Sequence, residues 1–245
     1  MENSPTAFLT AHWKYLAMLN YEVDPKILAS RTPIGTELDT FQGKTFVSIV
    51  GFLFHDTKVL GVPVPFHQNF EEVNLRFYVR YKVEKEGEWR RGVVFVKEIV
   101  PKFAIAFVAR TVYEEHYISI PTRHTLEFDQ ANNPKLVTYE WEYQDVWQGL
   151  TLYPTGNPYT LATGSEEEFI AEHYWGYTKH NDGSTTEYKV EHPPWRVWAV
   201  KNSSFQCDVT SLYGAEFNES LSVKPSSTFL AEGSSVTVYM GKKLS

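Results

Sequence analysis

Residues Phe70 to Tyr81 alternate so regularly that they fix the local structure before anything else is considered. Val73, Leu75, Phe77, Val79 and Tyr81 fall on one side, and Asn74, Arg76, Tyr78 and Arg80 on the other. Successive strand side chains point to opposite faces, so this is a half-buried β-strand with a dry face and a polar, twice-cationic face. Glu72 shares the parity of Asn74 and Arg76, and one face can therefore carry all three. A second apolar run begins at Gly92 and continues into Pro101 and Lys102, again setting charge beside what must be core. Two readings follow. Glu72 and Arg76 can pair with neighbouring strand charges while Lys102 is a solvated residue at a helix start, or Glu72, Arg76, Arg80 and Lys102 line one mixed-charge lumen.

The length of 245 residues suits a single large β domain spanning 1–245. Aromatic residues make up 16% of the chain, which fits a strand-rich fold because flat rings pack well on pleated surfaces. The net charge of −7 argues against nucleic acid as a partner, since a polyanion groove needs surplus Lys and Arg to displace counterions. The first residues show no basic region followed by an apolar run, and no segment approaches a bilayer-spanning length. The expectation is a cytoplasmic protein with no membrane partner. Cys207 is the sole cysteine, which excludes an internal disulfide and a thiolate metal cluster. With no basic neighbour or helix N-terminus evident to ionise it, it is expected to be inert.

Along the chain, Phe8, Leu9, Trp13, Leu16, Ala17 and Leu19 have helical spacing and predict a helix over Thr6 to Asn20. Asp24 and Pro25 open a second, short helix through Ala29. Thr45 to Phe54 is apolar on both faces, as in a central strand covered on two sides. The two prolines after Gly61 make that segment a loop. Phe103 to Glu114 reads as a helix of about three turns. The second half is mostly β, with strands over Arg123 to Phe128 and Leu136 to Val146; in the latter, Val137, Tyr139, Trp141 and Tyr143 share the dry face. Ser165 and Glu168 have capping-box spacing, which predicts a helix over Glu166 to Ala171. Asn181, Asp182 and Gly183 supply the turn of a hairpin between Tyr174 to Lys179 and Thr185 to Glu191. Arg196 to Val200, Cys207 to Leu212 and Val236 to Met240 are expected as edge strands.

Familiar catalytic signatures are missing. The chain has no Gly-x-Gly-x-x-Gly, Walker loop or Gly-x-Ser-x-Gly elbow. Its eight histidines include no His-x-His and no His-Glu-x-x-His, so no metal is expected. Glu115–His116, Glu172–His173 and Glu191–His192 place neighbours on opposite strand faces, where they cannot act as acid–base pairs, and they read as structural. Tyr174–Trp175 and the Trp195 to Trp198 cluster read as core.

Several segments occur together in a fixed order: Asp24 to Leu28, Pro33 to Asp39, Gly43 to Phe54, Val64 to His67, Phe70 to Val79, Gly92 to Phe95, Glu98 to Arg110, and Glu191 to Trp195. Together they resemble the YqjF-like family of uncharacterised bacterial proteins, over roughly Trp13 to Trp198. That family is grouped with proteins of acetoacetate decarboxylase-like fold. The resemblance implies a mainly β chain with α+β additions: a cone-shaped, mostly antiparallel β-barrel with peripheral helices and a pocket in the barrel. Decarboxylases of the wider superfamily use a Schiff-base lysine in a Pro-Lys-Lys motif, a strand glutamate and an arginine near the N-terminus. Pro101–Lys102 matches the first two motif positions, Glu72 sits where the glutamate would, and Arg31 is the candidate arginine. Phe103 departs from the motif and removes the neighbouring cation that would help to activate an amine. The function implied is binding of a small anionic or carbonyl-containing molecule, with Arg31, Arg76 and Arg80 as ligand-binding residues and no cofactor. The alternative is a lyase or decarboxylase-like enzyme using Lys102 as nucleophile and Glu72 as acid or base.

Overall fold

The computed structural model describes residues 6–63, 66–83, 87–101 and 116–244. The helix expected over Phe103 to Glu114 and the side chain of Lys102 lie outside them. The described strands are β1 (Ala7–Val23), β2 (Thr36–Leu38), β3 (Thr45–Val59), β4 (Val62–Pro63), β5 (Phe70–Lys82), β6 (Trp89–Val100), β7 (Tyr117–Ser119) and β8 (Thr122–Phe128) in the first half. The second half adds β9 (Pro134–Tyr143), β10 (Val146–Thr160), β11 (Trp175–Lys179), β12 (Thr185–Glu191), β13 (Arg196–Gln206), β14 (Ser227–Tyr239) and β15 (Lys242–Lys243). All belong to one mixed sheet. Its main path runs β15-β12-β11-β6-β5-β3-β1-β14-β13-β10-β9-β8, and β12 also pairs with β14, so the strands from β12 round to β14 make a hydrogen-bonded circuit. The β6–β11 and β6–β7 pairings are parallel and the other described pairings antiparallel.

Both faces of the central strands are covered. Val73, Leu75, Phe77 and Val79 of β5 join Val47 and Ile49 of β3 in one cluster, which reaches Tyr139 and Trp141 of β9. The opposite faces contribute Phe70 and Tyr78 of β5 with Phe46, Val50, Phe52 and Phe54 of β3 to a second cluster. The packing over the first face is close enough that a Cβ on Gly51 would sit 2.7 Å from the Tyr139 ring.

The N-terminal helix expected over Thr6 to Asn20 is instead most of β1. Tyr15 has φ 54, and between Lys14 and Ala17 the strand carries one residue more than β3 does. This bulge reverses the alternation. Ala11 and Trp13 face the second cluster before it, and Leu16 and Met18 face that same cluster after it. The resulting Trp13–Leu16 step mimics a helical period while the backbone remains extended. The buried Tyr139 hydroxyl donates to the Tyr15 carbonyl at 2.8 Å, satisfying an acceptor where the ladder is interrupted.

Three helices carry the capping logic of the sequence. Asp24 caps α1 (Pro25–Leu28) by accepting from the Lys26 amide. Ser165 caps α2 (Glu166–Ala171) by accepting from the Glu168 amide, while the Glu168 carboxylate accepts from the Gly164 amide. The strand expected over Cys207 to Leu212 is in fact α3 (Val209–Leu212), because the Asp208 carboxylate accepts from the Ser211 amide and starts a helical turn. In the Asn181–Gly183 turn, only Gly183 needs positive φ, at 82°. β14, expected as an edge, is an interior strand flanked by β1, β13 and β12.

Candidate functional site

A cavity of about 170 Å³ lies on the second face of the circuit. Its polar wall comes from β5, where alternation places Glu72, Asn74 and Arg76 side by side. The strand's polar face is therefore not a wet surface: Glu72 is 3% and Asn74 1% exposed. Across the ladder, Glu98 of β6 stands directly opposite Asn74 and is 1% exposed. A bulge in β6 makes this possible. The pairing steps from Leu75–Lys97 to Arg76–Phe95, so Phe95 and Glu98, of unlike parity, both reach the cavity.

The Asn74 amide donates to Glu72 Oε1 at 3.0 Å and fixes that carboxylate against the wall. Arg76 lies 5.7 Å over the Tyr78 ring and reaches Met18 Sδ at 4.0 Å. Among the described residues no carboxylate lies within ion-pair distance of it, and its buried Nε has no hydrogen-bond partner. Behind Tyr78 the polar groups are satisfied in a chain. The Ser48 hydroxyl donates to Asn20 Oδ1 at 2.6 Å and lies 2.6 Å from the Tyr78 hydroxyl, and the Asn20 amide donates to Ser227 at 3.0 Å. Such a closed network holds β5 against β3 and β1 beneath the cavity.

Two histidines read from sequence as structural also line the cavity. The His173 side chain is buried, with Nε2 3.4 Å from Asp39 Oδ2 and 3.3 Å from Arg91 Nη2. Burial pushes its pKa down to about 4; Asp39 opposes this, and the Arg91 charge adds to it. Burial also raises the Asp39 carboxyl, but hydrogen bonds from His173 and Arg91 outweigh it and hold the group below its ordinary value. His192 stacks on Trp195, with centroids 4.0 Å apart and planes at 14°. Burial pushes it to about 4, with the Pro193 carbonyl opposing and Arg76 adding. The preceding glutamates point elsewhere: Glu172 accepts from the Tyr174 hydroxyl and Glu191 pairs with Lys189. Glu172 and Glu191 thus engage other partners than the histidines that follow them, and His173 and His192, which stand beside the strands rather than on them, reach the cavity; Glu115 of the remaining dipeptide lies outside the described residues. Alternation alone could not give that, because it fixes parity and not what the face meets.

The remaining wall is mostly apolar, with Thr57 and His67 among its polar exceptions. The Trp13 ring meets Phe52 and Phe54 edge-on at 5.2 and 5.9 Å, and Phe54 stacks on Phe70 at 4.6 Å. Trp195, read as core, joins this aromatic wall beside Trp13 at 6.2 Å.

The arginines separate. Arg76 lines the cavity with Glu72. Arg80 donates from Nε to Glu37 at 2.7 Å and stacks over Trp89 at 4.2 Å, outside the cavity wall. Arg31 pairs with Glu216 and lies over Phe217 at 5.3 Å, against the first cluster. Both have carboxylate partners, so of the lumen expected from Glu72, Arg76, Arg80 and Lys102 the cavity wall holds Glu72 and Arg76 but not Arg80, and Lys102 lies outside the described residues. The Cys207 thiol is pushed up to about 12 by burial and the Asp208 charge and stays neutral.

The DUF2071 family model, described as an uncharacterized conserved protein, matches residues 10–235. The chain belongs to this family. The uncharacterized protein YqjF of Bacillus subtilis (strain 168) is 24% identical over 215 residues, covering 85% of this chain and 82% of its own length. Solved structures extend the likeness to the fold. Acetoacetate decarboxylase from Legionella pneumophila superposes with a TM-score of 0.65 at 15% identity, covering 99% of this chain and 90% of that one. The enduracididine biosynthesis enzyme MppR, complexed with pyruvate, gives a TM-score of 0.66 at 11% identity, with 100% and 92% covered. This DUF2071 chain therefore has an acetoacetate decarboxylase-like, mainly β fold.

Proposed function

We propose that this DUF2071 chain is a single cytoplasmic domain over residues 1–245 that binds a small anionic or carbonyl-containing molecule in the cavity, within a sheet closed as a cone-shaped barrel. The observation that carries the reading is Arg76. It is a half-buried guanidinium on the cavity wall whose enclosed Nε has no hydrogen-bond partner and which has no carboxylate within ion-pair distance among the described residues, so an anion in the cavity would supply the partner it lacks. The pyruvate bound by MppR on the same fold supports this ligand class.

The experiment is a ligand-induced thermal shift with pyruvate and acetoacetate. Arg76→Gln is expected to weaken binding by about 2 kcal/mol, roughly thirtyfold, while the unliganded melting point changes little. Unaltered binding in the variant refutes the assignment.

A second reading makes the chain a lyase. It is favoured by β6, whose Glu98 enters the wall and which ends at Val100, two positions before Lys102 in sequence. The Lys102 amine would add to a substrate carbonyl, water would leave, and the resulting iminium would accept the electron pair released as carbon dioxide departs. Glu72 would move the protons. Borohydride added with pyruvate or acetoacetate, followed by intact mass, is expected to show an adduct that Lys102→Ala abolishes. No adduct at saturating substrate removes the lyase reading and leaves the binding reading standing.

A further inference from the structure

The cavity is divided by polarity, and the division follows the strands. Its wall from β1 and β3 is almost wholly apolar, with Trp13, Phe52 and Phe54 meeting edge to face, and Trp195 continues that surface. The charged groups come from β5 and β6. Of these, Glu72 and Glu98 both have partners, whereas Arg76 has no carboxylate within ion-pair distance among the described residues and its enclosed Nε has no hydrogen-bond partner. The volume of about 170 Å³ is well above that of a few-atom acid, since a water takes up about 30 Å³ and a dry cavity of roughly 150 Å³ can hold a benzene ring. An acid of two or three carbons held on Arg76 would leave the aromatic wall uncovered.

We propose that the cavity selects amphipathic carboxylates, with the acid head on Arg76 and an aromatic ring, or a branched aliphatic body of that size, between Trp13, Phe52, Phe54 and Trp195. This rests on the binding reading above and narrows it from small acids in general to aryl or bulky alkyl acids. Tilted and edge-on rings on the wall provide the faces and edges against which a further aromatic ring packs.

The test is a calorimetric titration of the wild-type chain with propionate, 3-phenylpropionate and its neutral analogue 3-phenylpropanol, with pyruvate alongside. 3-Phenylpropionate is expected to bind at least about tenfold more tightly than propionate, because the ring buries apolar surface. It should also bind about tenfold or more tightly than the alcohol, a gap that Arg76→Gln should close. Equal binding of propionate and 3-phenylpropionate overturns the proposal while preserving the broader one. Equal binding of 3-phenylpropionate and 3-phenylpropanol removes Arg76 as the head group's partner. If none of the acids binds, the broader reading fails as well. The ligand series needs no variant, so a misfolded Arg76→Gln chain leaves it decisive.

Discussion

His173 and His192 show how burial can set a residue's chemistry against its reputation. Each is held near pKa 4 chiefly by loss of solvent, so both are neutral across the physiological range. The folded chain therefore resists protons that the unfolded chain takes up below about pH 6.5. Their contribution to stability is complete above that value and falls as pH drops from about 6.5 towards 4, by about 1.4 kcal/mol per unit for each. Asp39, whose carboxyl is depressed, contributes above the ordinary carboxylate range and loses its contribution at still lower pH. Urea denaturation at pH 7.5, 6 and 5 should show progressive loss in the wild type and a flatter profile in His173→Gln/His192→Gln. A wild-type profile flat across that interval would contradict the buried neutral state. The sequence announces these histidines only as members of Glu–His pairs, and nothing local distinguishes them from His12 or His180.

At the scale of the element, β1 is the instructive case. Its apolar residues are spaced for a helix because Tyr15 inserts one extra residue and reverses the alternation, so a period of two changes phase in mid-strand. The same phase change in β6 brings Phe95 and Glu98 to one cavity. The partner of the β1 bulge is Gly233 on β14, with φ 83°, opposite Lys14. A Cβ there would lie 2.1 Å from the Trp13 carbonyl oxygen, and the left-handed conformation would add its own strain. Gly233→Ala should cost at least about 2 kcal/mol in urea denaturation. A loss under about 0.5 kcal/mol would show that the two strands can separate there freely. By contrast, the Asp24 and Ser165 caps were legible in the sequence, because a cap is a contact between residues a few positions apart.

For the whole molecule, the long strands wrap one sheet so that both of its central faces are dry, and this turns a polar strand face into a cavity wall. The sequence by itself determined much of what depends on near neighbours: the alternation of β5 and β9, the covered strand β3, the caps at Asp24 and Ser165 though not the one at Asp208, the β11–β12 turn, and the ordered segments that mark the family. It also put Glu72, Asn74 and Arg76 on one face, because strand parity is local. Only the tertiary structure decided which partners meet across the sheet. Arg80 and Arg31 resemble Arg76 as residues, but Glu37 and Glu216 reach them from other segments, and among the described arginines Arg76 is the one on the cavity wall. His173, His192, Glu98 and Trp13 converge there from four distant stretches of chain. Their approach is set by strand order and by two bulges, each of which reverses every side chain beyond it, and those are properties of pairing that no single stretch of sequence contains.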